Sequence, residues 1–464
     1  MNRRNVLLAL GALALVGARL CHSGVLWPEE GLPLAAAVQM LQGKVLFHDV
    51  WFDKPPLVPV FYLPFGAHTG VPLRIAGALY VLAACWLIWR FAKDLWGPRE
   101  AAAAAGFLGF ALTFYLPAAV MAVAADLLVI APHIAAVWLA WKGRHIGAGI
   151  AAGVAFQCNT KAAFILVVCA LFGRRGIPRL LAGFAVPNAA VLVWLGIQGA
   201  LADYVEQVWT LGFLYARDTF VRSPWKEGLQ RTLNWTGFHL AFVVAAILAW
   251  RRERDWRFAA WFLLAVPAVV AGWRFFPRYY FHLLPVVVLL AARGFVLAGT
   301  RVRLALLCLL LIPLGRFGPR YVTLAVAGES AWRDTAMDRD SRAAAKLIID
   351  RSRPGDTLFV WGYRPEIYAY TRMPAASRFL ESQPLTGVFA DRHLFDSTPS
   401  YPEWAARNRL ELVRTRPAFV LDGLAGYNPS LGIERYPDLH AWLTPYTPAV
   451  RTRLSLIYAR NPEP

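Results

Sequence analysis

Residues 72–92 read PLRIAGALYVLAACWLIWRFA, and this stretch decides the class of fold. A helix of about 20 mostly apolar residues is long enough to cross a bilayer. Ten further apolar runs follow the same pattern, near residues 6–21, 100–119, 122–141, 145–158, 162–172, 179–199, 235–250, 257–273, 280–298 and 302–315. The sequence therefore predicts a polytopic α-helical membrane protein with about eleven transmembrane helices. The runs at 145–158 and 162–172 are short, and we expect a pair of short helices there, separated by residues 159–161.

The composition agrees with this class. The chain has 464 residues, of which 58% are hydrophobic and 17% are charged. Soluble domains average about 45–50% apolar and about 25% charged residues. A disordered protein, a coiled coil and an ordinary cytosolic enzyme are therefore excluded. The five cysteines show neither metal-ligand spacing nor a disulfide framework, so no metal is assigned, and a need for a divalent cation or another cofactor stays open.

The net charge of +19, taken alone, could indicate nucleic-acid binding. The positions of the charges along the chain indicate a different explanation. Residues 1–315 hold 28 basic and 13 acidic side chains, and much of that excess lies in alternate loops between the apolar runs. Basic loops mark the cytoplasmic side of a membrane protein. The pattern predicts an uncleaved first span, a cytoplasmic N-terminus, and contact with membrane lipids of the inner or plasma membrane rather than nucleic acid. The basic loops hold Arg3/Arg4, Arg90/Lys93/Arg99, Lys142/Arg144, Arg174/Arg175/Arg179, Arg251/Arg252/Arg254/Arg257 and Arg293/Arg301/Arg303.

Two domains are expected. Residues 1–315 form the transmembrane part, with outer loops at 22–56 and 200–234. Residues 316–464 contain no apolar run long enough to span a membrane, and they alternate helical patterns (341–353, 401–416) with apolar strands (357–361, 417–421). Such alternation indicates a small α/β domain with a parallel sheet, here on the extracytoplasmic side.

Two acidic residues follow the first span. Glu29 and Glu30 begin a short amphipathic helix predicted over residues 30–42. The backbone amides at a helix N-terminus stabilise an ionised carboxylate, so either residue is a candidate general base. The alternative is that both are helix-start residues at a wet interface. Lys54, before Pro55 and Pro56, is either a substrate-binding cation or a side chain that extends to the membrane surface.

Further ionisable residues lie at outer ends of apolar runs. Asp126 and Lys161 are functional candidates because a charge at membrane depth is costly. The alternatives are that Asp126 caps a helix and that the Lys161 side chain extends to the membrane surface. A last group follows the ninth run and breaks the sidedness of the basic residues; it contains Arg274, Arg278, Tyr279 and His282. Arginine suits phosphate recognition, while an aromatic interface belt is the alternative. Together, carboxylates and cations on one face are what transfer from a lipid phosphate requires.

These residues resemble a known group of proteins. Glu29-Glu30, the motif Phe52-Asp53-Lys54-Pro55-Pro56-Leu57, Arg74, Asp126 and the segment 278–285 (RYYFHLLP) are similar, in order and spacing, to GT-C class membrane glycosyltransferases. The similar branch contains the protein O-mannosyltransferases and the lipid A aminoarabinose transferases (glycosyltransferase family 39). The resemblance implies a GT-C fold and inverting transfer of a sugar from a polyprenyl-phosphate donor to a lipid, glycan or protein acceptor on the outer face.

The resemblance also implies residue roles. Lys54 and Asp126 match positions that line the active-site cavity, and Lys161 is placed with them. Arg278, Tyr279 and His282 match the segment that meets the lipid phosphate. The family has Asp-Glu where this chain has Glu29-Glu30, and that departure leaves the choice of base open between the two.

Two other functions stay open on the sequence. A transporter or flippase for a lipid-linked or anionic substrate is the first, although no internal repeat is visible and the charged residues lie at the outer boundary. The second is a degenerate, non-catalytic member of the family that acts as a scaffold. The replacement of Asp by Glu in the acidic pair supports that second possibility.

Overall fold

The computed structural model describes residues 3–219 and 221–461, with side chains at residue 6 and from residue 8 onward. Each of the eleven apolar runs is helical within this part. The corresponding helices are Arg3–Leu20, Val71–Leu95, Pro98–Ala111, Ile130–Trp141, His145–Cys158, Phe164–Phe172, Ile177–Ile197, Leu240–Glu253, Trp256–Val270, Leu284–Leu297 and Thr300–Ala327. The side chains of Arg3 and Arg4, the first predicted basic group, lie outside the described part.

Four helical segments are long and apolar enough to cross a membrane by themselves: Val71–Leu95, Arg174–Ile197, Trp256–Trp273 and Thr300–Ala327. A fifth crossing is possible if Pro224–Phe238 and Leu240–Glu253, which meet at a bend of 85°, form one broken span. The remaining apolar helices are shorter. The chain is therefore a multi-pass membrane protein by composition and helix length, while the count of about eleven and the orientation remain predictions.

The expected break between two short helices is present. His145–Cys158 ends at Asn159, a 3-10 turn covers Thr160–Ala163, and Phe164–Phe172 follows. The Asn159 side chain accepts a hydrogen bond from the backbone N–H of Lys161 at 3.0 Å, which caps the turn. This break places Asn159 and Lys161 together at one end of the helix pair.

The last apolar run continues further than predicted. Its helix, Thr300–Ala327, passes through the predicted domain boundary at residue 315 because Phe317, Tyr321 and Leu324 continue its buried face. The helix ends at Gly328, whose φ of 73° suits glycine. The C-terminal domain therefore begins after this glycine.

The C-terminal domain is an α/β unit with a mixed sheet. Its strands are β1 (Leu358–Trp361), β2 (Phe419–Asp422), β3 (Tyr446–Arg451) and β4 (Leu456–Arg460), in the order β1-β2-β4-β3. The strands β1 and β2 pair in parallel, as predicted, but β4 pairs antiparallel with both β2 and β3. The expectation of a parallel sheet was therefore incomplete, because the C-terminal hairpin was not recognised. Helices Ala336–Ile349, Glu366–Thr371 and Pro402–Leu412 accompany the sheet.

The first outer loop joins the two domains. Its helix, Pro28–Leu41, presents Gln39 to the C-terminal domain, where the amide donates to the carbonyl of Met373 at 3.0 Å and accepts from the N–H of Ala375 at 2.8 Å. Further along, the N–H of Trp51 donates to the carbonyl of Arg378 at 2.8 Å. These contacts fix the C-terminal domain above the outer ends of the helices.

Candidate active site

A cavity of about 300 Å³ lies among residues 53–55, 125–126, 159–161, 208–216 and 271–279. Its lining residues fall into two groups, one polar and one apolar or small. The polar group comprises Asp53, Lys54, Asp126, Asn159, Thr160, Lys161, Arg274, Arg278 and Tyr279; the apolar and small group comprises Pro55, Ala125, Val208, Trp209, Gly212, Phe213, Tyr215, Ala216, Ala271 and Gly272. A cavity with both kinds of wall suits a ligand that has a charged head and an apolar tail.

Arg278 connects the two predicted acids. Its Nη1 lies 2.7 Å from Oε1 of Glu29, and its Nε lies 3.2 Å from Oδ2 of Asp126. The 3-10 segment Pro277–His282 carries the arginine, and Pro277 begins that segment. The side chain of Glu29 is 30% exposed, and that of Arg278 is 23% exposed. The residues that were predicted from three separate regions of the sequence therefore lie together.

Asp126 is held in one orientation by its other neighbours. Its Oδ1 accepts from the Asn159 amide at 2.9 Å and lies 3.6 Å from Nε2 of His282. His282 is buried, and neither of its ring nitrogens has a hydrogen-bond partner within the described part of the chain. Asp126 thus serves as an anchor for cationic and polar groups around the cavity.

Lys161 points its ammonium at an aromatic ring. Its Nζ lies 3.1 Å from the centre of the Tyr279 ring, a cation–π contact, and no acceptor among the described residues hydrogen-bonds to it. A buried ammonium without an acceptor is costly. An anionic ligand in the cavity would supply a hydrogen-bond acceptor for this ammonium.

Lys54 pairs with its neighbour in the sequence. Its Nζ lies 3.0 Å from Oδ1 of Asp53. Burial alone would lower the pKa of Lys54, but the carboxylates of Asp53 and Glu29 raise it above its ordinary value. Lys54 is therefore a permanent cation at the cavity wall.

Glu30 occupies a different environment from Glu29. It is fully buried, and its Oε2 and Oε1 lie 2.6 Å and 3.0 Å from the two terminal nitrogens of Arg74. The same carboxylate accepts from the backbone N–H groups of Trp27 at 3.1 Å and Val123 at 2.8 Å. With these four contacts, Glu30 has no free lone pair directed at the cavity. Of the two glutamates that the sequence left open, Glu29 is the partly exposed one, and the identity of the base stays a prediction.

Arg274 is engaged by the protein itself. Its Nε donates to Asp391 of the C-terminal domain, Nη2 to the carbonyl of Asp218, and Nη1 to the carbonyl of Gly272 at 3.0 Å. Its guanidinium also covers the Tyr215 ring at 3.7 Å. Every nitrogen of the side chain therefore has a protein acceptor, and Arg274 acts as a clamp between segments. Arg274 also lines the cavity, and its predicted contact with a substrate stays a prediction.

Three polar residues of the site were not predicted. Asp53 stands in the motif that contains Lys54, and Asn159 stands in the predicted break before Lys161, so both carried a local signal. Glu381 carried none, because it lies in the C-terminal domain. Burial, together with the carboxylates of Asp53 and Glu29, raises the pKa of Glu381 to about 8.

No group of three or more His, Cys, Asp or Glu side chains in residues 3–219 and 221–461 is arranged to hold a metal ion. The cations that face the cavity are side chains of the protein: Lys54, Lys161 and Arg278.

No protein-family model matches the chain, and no curated protein matches it in sequence. Solved structures do match it. ArnT from Cupriavidus metallidurans bound to undecaprenyl phosphate superposes with a TM-score of 0.65 and 16% identity over 98% of this chain and 97% of that one. The apo state of the same ArnT gives a TM-score of 0.61 and 17% identity over the same shares. The oligosaccharyltransferase of Archaeoglobus fulgidus in the apo form gives 0.50 and 13%, over 91% of this chain and 70% of that one.

The chain has the GT-C fold. The match to ArnT extends over nearly the whole of both chains, so the C-terminal domain is included in the likeness. The fold predicted from the resemblance is thereby confirmed.

Proposed function

We propose that this protein is a GT-C glycosyltransferase. It moves a sugar from a polyprenyl-phosphate donor to a lipid, glycan or protein acceptor on the outer face of the membrane. The observation that carries the proposal is the link Glu29–Arg278–Asp126 at a cavity that has both polar and apolar walls. The fold shared with an ArnT bound to undecaprenyl phosphate supports the choice of donor.

The proposed reaction is a single displacement. Glu29 takes the proton of an acceptor hydroxyl, and the acceptor oxygen forms a bond to the anomeric carbon of the donor sugar. The bond from that carbon to the phosphate oxygen breaks, and the electron pair leaves with polyprenyl phosphate. Because attack and departure occur on opposite faces, the anomeric configuration is inverted.

The cations stabilise the leaving phosphate. Lys54, Lys161 and Arg278 line the same cavity, and positive charges placed where negative charge develops lower the barrier of such a step. Arg278 also contacts Glu29 at 2.7 Å. A phosphate that binds Arg278 shares its guanidinium with Glu29 and so weakens the contact between Arg278 and that carboxylate.

The first test replaces the proposed base. In cells that lack the gene, the wild-type chain should restore a sugar modification of the cell envelope that mass spectrometry detects. Glu29→Gln should lower this modification by about 10²–10⁴-fold, the range typical for loss of a general base. Asp350→Asn is the matched control, since Asp350 is exposed and lines neither this cavity nor the larger one described below. Full modification by Glu29→Gln would contradict the proposed mechanism.

A second measurement separates donor binding from chemistry. Undecaprenyl phosphate is titrated into full-length protein in nanodiscs. We expect Lys161→Met and Lys54→Met each to weaken binding at least tenfold, while Glu29→Gln binds as well as the wild type or better. Movement of a lipid-linked substrate across proteoliposomes, without a covalent product, would instead support a flippase.

A further inference from the structure

A second, larger cavity of about 570 Å³ lies between loops of the transmembrane part and the C-terminal domain. Its walls come from the end of the first outer loop (Trp51), the π-helix Val205–Thr210 (Gln207), the segment before Glu381 (Phe379) and the helix Pro402–Leu412 (Trp404). We refer to it as the outer groove. Arg414 and Glu411 lie along its rim.

The outer groove shares its walls with the candidate active site. Trp51 lines the groove, and Asp53 and Lys54 line the catalytic cavity two and three residues later. Gln207 lines the groove, and Val208 and Trp209 line the cavity. In a third segment, Phe379 lines the groove and precedes Glu381, whose carboxyl interacts electrostatically with Asp53, Lys54 and Glu29. In each of these three segments, one residue therefore lines the groove and a residue one to three positions later lines or interacts with the candidate active site.

Hydrogen bonds hold these walls in place. The amide of Gln207 accepts from the N–H of Phe52 at 2.9 Å and donates to the carbonyl of Phe47 at 2.8 Å. The N–H of Trp51 donates to the carbonyl of Arg378 at 2.8 Å. A preformed groove loses little entropy when a ligand binds, so its shape can select a ligand.

The chemistry of the groove suits a sugar. The indole of Trp404 is partly exposed and offers a flat apolar face against which the C–H face of a pyranose ring packs, while guanidinium and carboxylate groups at the groove bond its hydroxyls. Trp51 is buried behind this surface, with 2% of its area exposed. The indole N–H of Trp51 has no acceptor within the described part of the chain. Arg414 and Glu411 form no ion pair there either, so a donor and an acceptor stand ready at the rim.

We propose that the outer groove binds the saccharide part of the acceptor and directs its hydroxyl over the shared wall toward Glu29. This inference rests on the proposed transferase function and deepens it, since it assigns a substrate class to a surface outside the catalytic cavity. A polyprenyl chain would not suit the groove, because the walls carry charged and amide groups rather than a continuous aliphatic surface.

The test measures saccharide and donor binding separately, in full-length protein in nanodiscs. The saccharide probe is the lipid-free oligosaccharide released by mild acid from the envelope of the cells that express the protein, and saturation-transfer NMR reports its contact. The donor probe is undecaprenyl phosphate. We expect Trp404→Leu and Arg414→Glu each to weaken saccharide binding at least tenfold and to change undecaprenyl phosphate binding by less than twofold.

The control variants separate the outcomes. Arg353→Glu reverses an exposed arginine of the same domain outside the groove and should bind both probes normally. Lys54→Met should weaken undecaprenyl phosphate binding and leave saccharide binding unchanged. Saccharide that does not bind the wild type, or that binds the two groove variants equally well, would overturn the groove proposal while leaving the transferase proposal intact. A serine- and threonine-rich peptide that binds the groove in place of the saccharide would overturn it as well. If Trp404→Leu lowers the unfolding temperature, Arg414→Glu at the rim decides the result.

Discussion

Glu29 and Glu30 are adjacent and chemically identical, yet they lie in opposite environments. Successive residues at a helix start project about 100° apart. Glu30 therefore meets Arg74 and two backbone N–H groups in the interior, while Glu29 meets Arg278 at the cavity. The same spacing that puts one carboxylate beside Arg278 puts the other in a buried ion pair with Arg74.

Breaking the buried pair should unfold the site rather than remove its base. Glu30→Gln leaves Arg74 as an uncompensated buried charge, so we expect a loss of about 3–5 kcal/mol in the free energy of unfolding. Chemical denaturation in detergent measures it. Arg74→Met should cost a similar amount, and the double variant should cost less than the sum of the two.

The exposed Glu403→Gln variant provides the baseline for that experiment, with a change below about 0.5 kcal/mol expected. A fully stable Glu30→Gln protein without activity would show instead that Glu30 takes part in the chemistry.

Glu381 should make stability depend on pH. The folded protein binds a proton at this carboxyl up to a pKa of about 8, whereas the ordinary value is 4.5. Between these values the folded state holds more protons than the unfolded state, so this group's contribution to stability decreases as pH rises. As the pH is raised from 5 to 8, the unfolding temperature of the wild type should therefore decrease relative to that of Glu381→Gln.

Parallel melting curves of the two proteins between pH 5 and pH 8 check this expectation. An unchanged difference across that range would mean that Glu381 is ionised throughout.

At the scale of elements, the clamp around Arg274 joins three parts of the chain. It connects the loop after Trp256–Val270, the end of the helix Leu211–Arg217 at Asp218, and Asp391 of the C-terminal domain. Arg392 adds a second link, with its Nη2 3.1 Å from Oδ2 of Asp218. Arg274 and Tyr215 also line the candidate cavity.

Removing the partner of this arginine should loosen the clamp. Asp391→Asn leaves a buried guanidinium without its counter-charge, and we expect faster hydrogen exchange in residues 211–217 and 387–396 than in the wild type. Exposed Asp350 provides the control, because Asp350→Asn breaks a single surface pair with Lys346. Unchanged exchange in both segments would show that the clamp is not needed for their order.

The elements that were predicted correctly carry a strong local signal. Leu358–Trp361 and Phe419–Asp422 are continuous apolar strands that are buried on both faces, and both were recognised. The hairpin of β3 and β4 was missed because β3 exposes most of its residues and contains Pro448 at the edge of the sheet. Its pairing with β2 is a long-range contact that local patterns do not contain.

For the whole molecule, the charge distribution predicts an orientation. A cysteine introduced by Ser352→Cys in the C-terminal domain should react with a membrane-impermeant maleimide added to intact cells. A cysteine introduced by Arg252→Cys in a basic loop should react only after the membrane is opened. Labelling of the wild-type chain, with its own five cysteines, gives the background. Reversed labelling would place the proposed active site on the cytoplasmic side.

The sequence by itself determined the class of fold and most members of the site. Apolar runs of membrane-spanning length are visible locally, because the bilayer imposes length and composition on each helix separately. The chemically costly residues among them, such as Asp126 and Lys161, stand out for the same reason. The tertiary structure alone decided which charges are free. Arg74 satisfies Glu30, and Asp391 satisfies Arg274, across separations of 44 and 117 residues. An ion pair depends on distance in space, so only the folded chain distinguishes a supporting charge from one that faces the substrate.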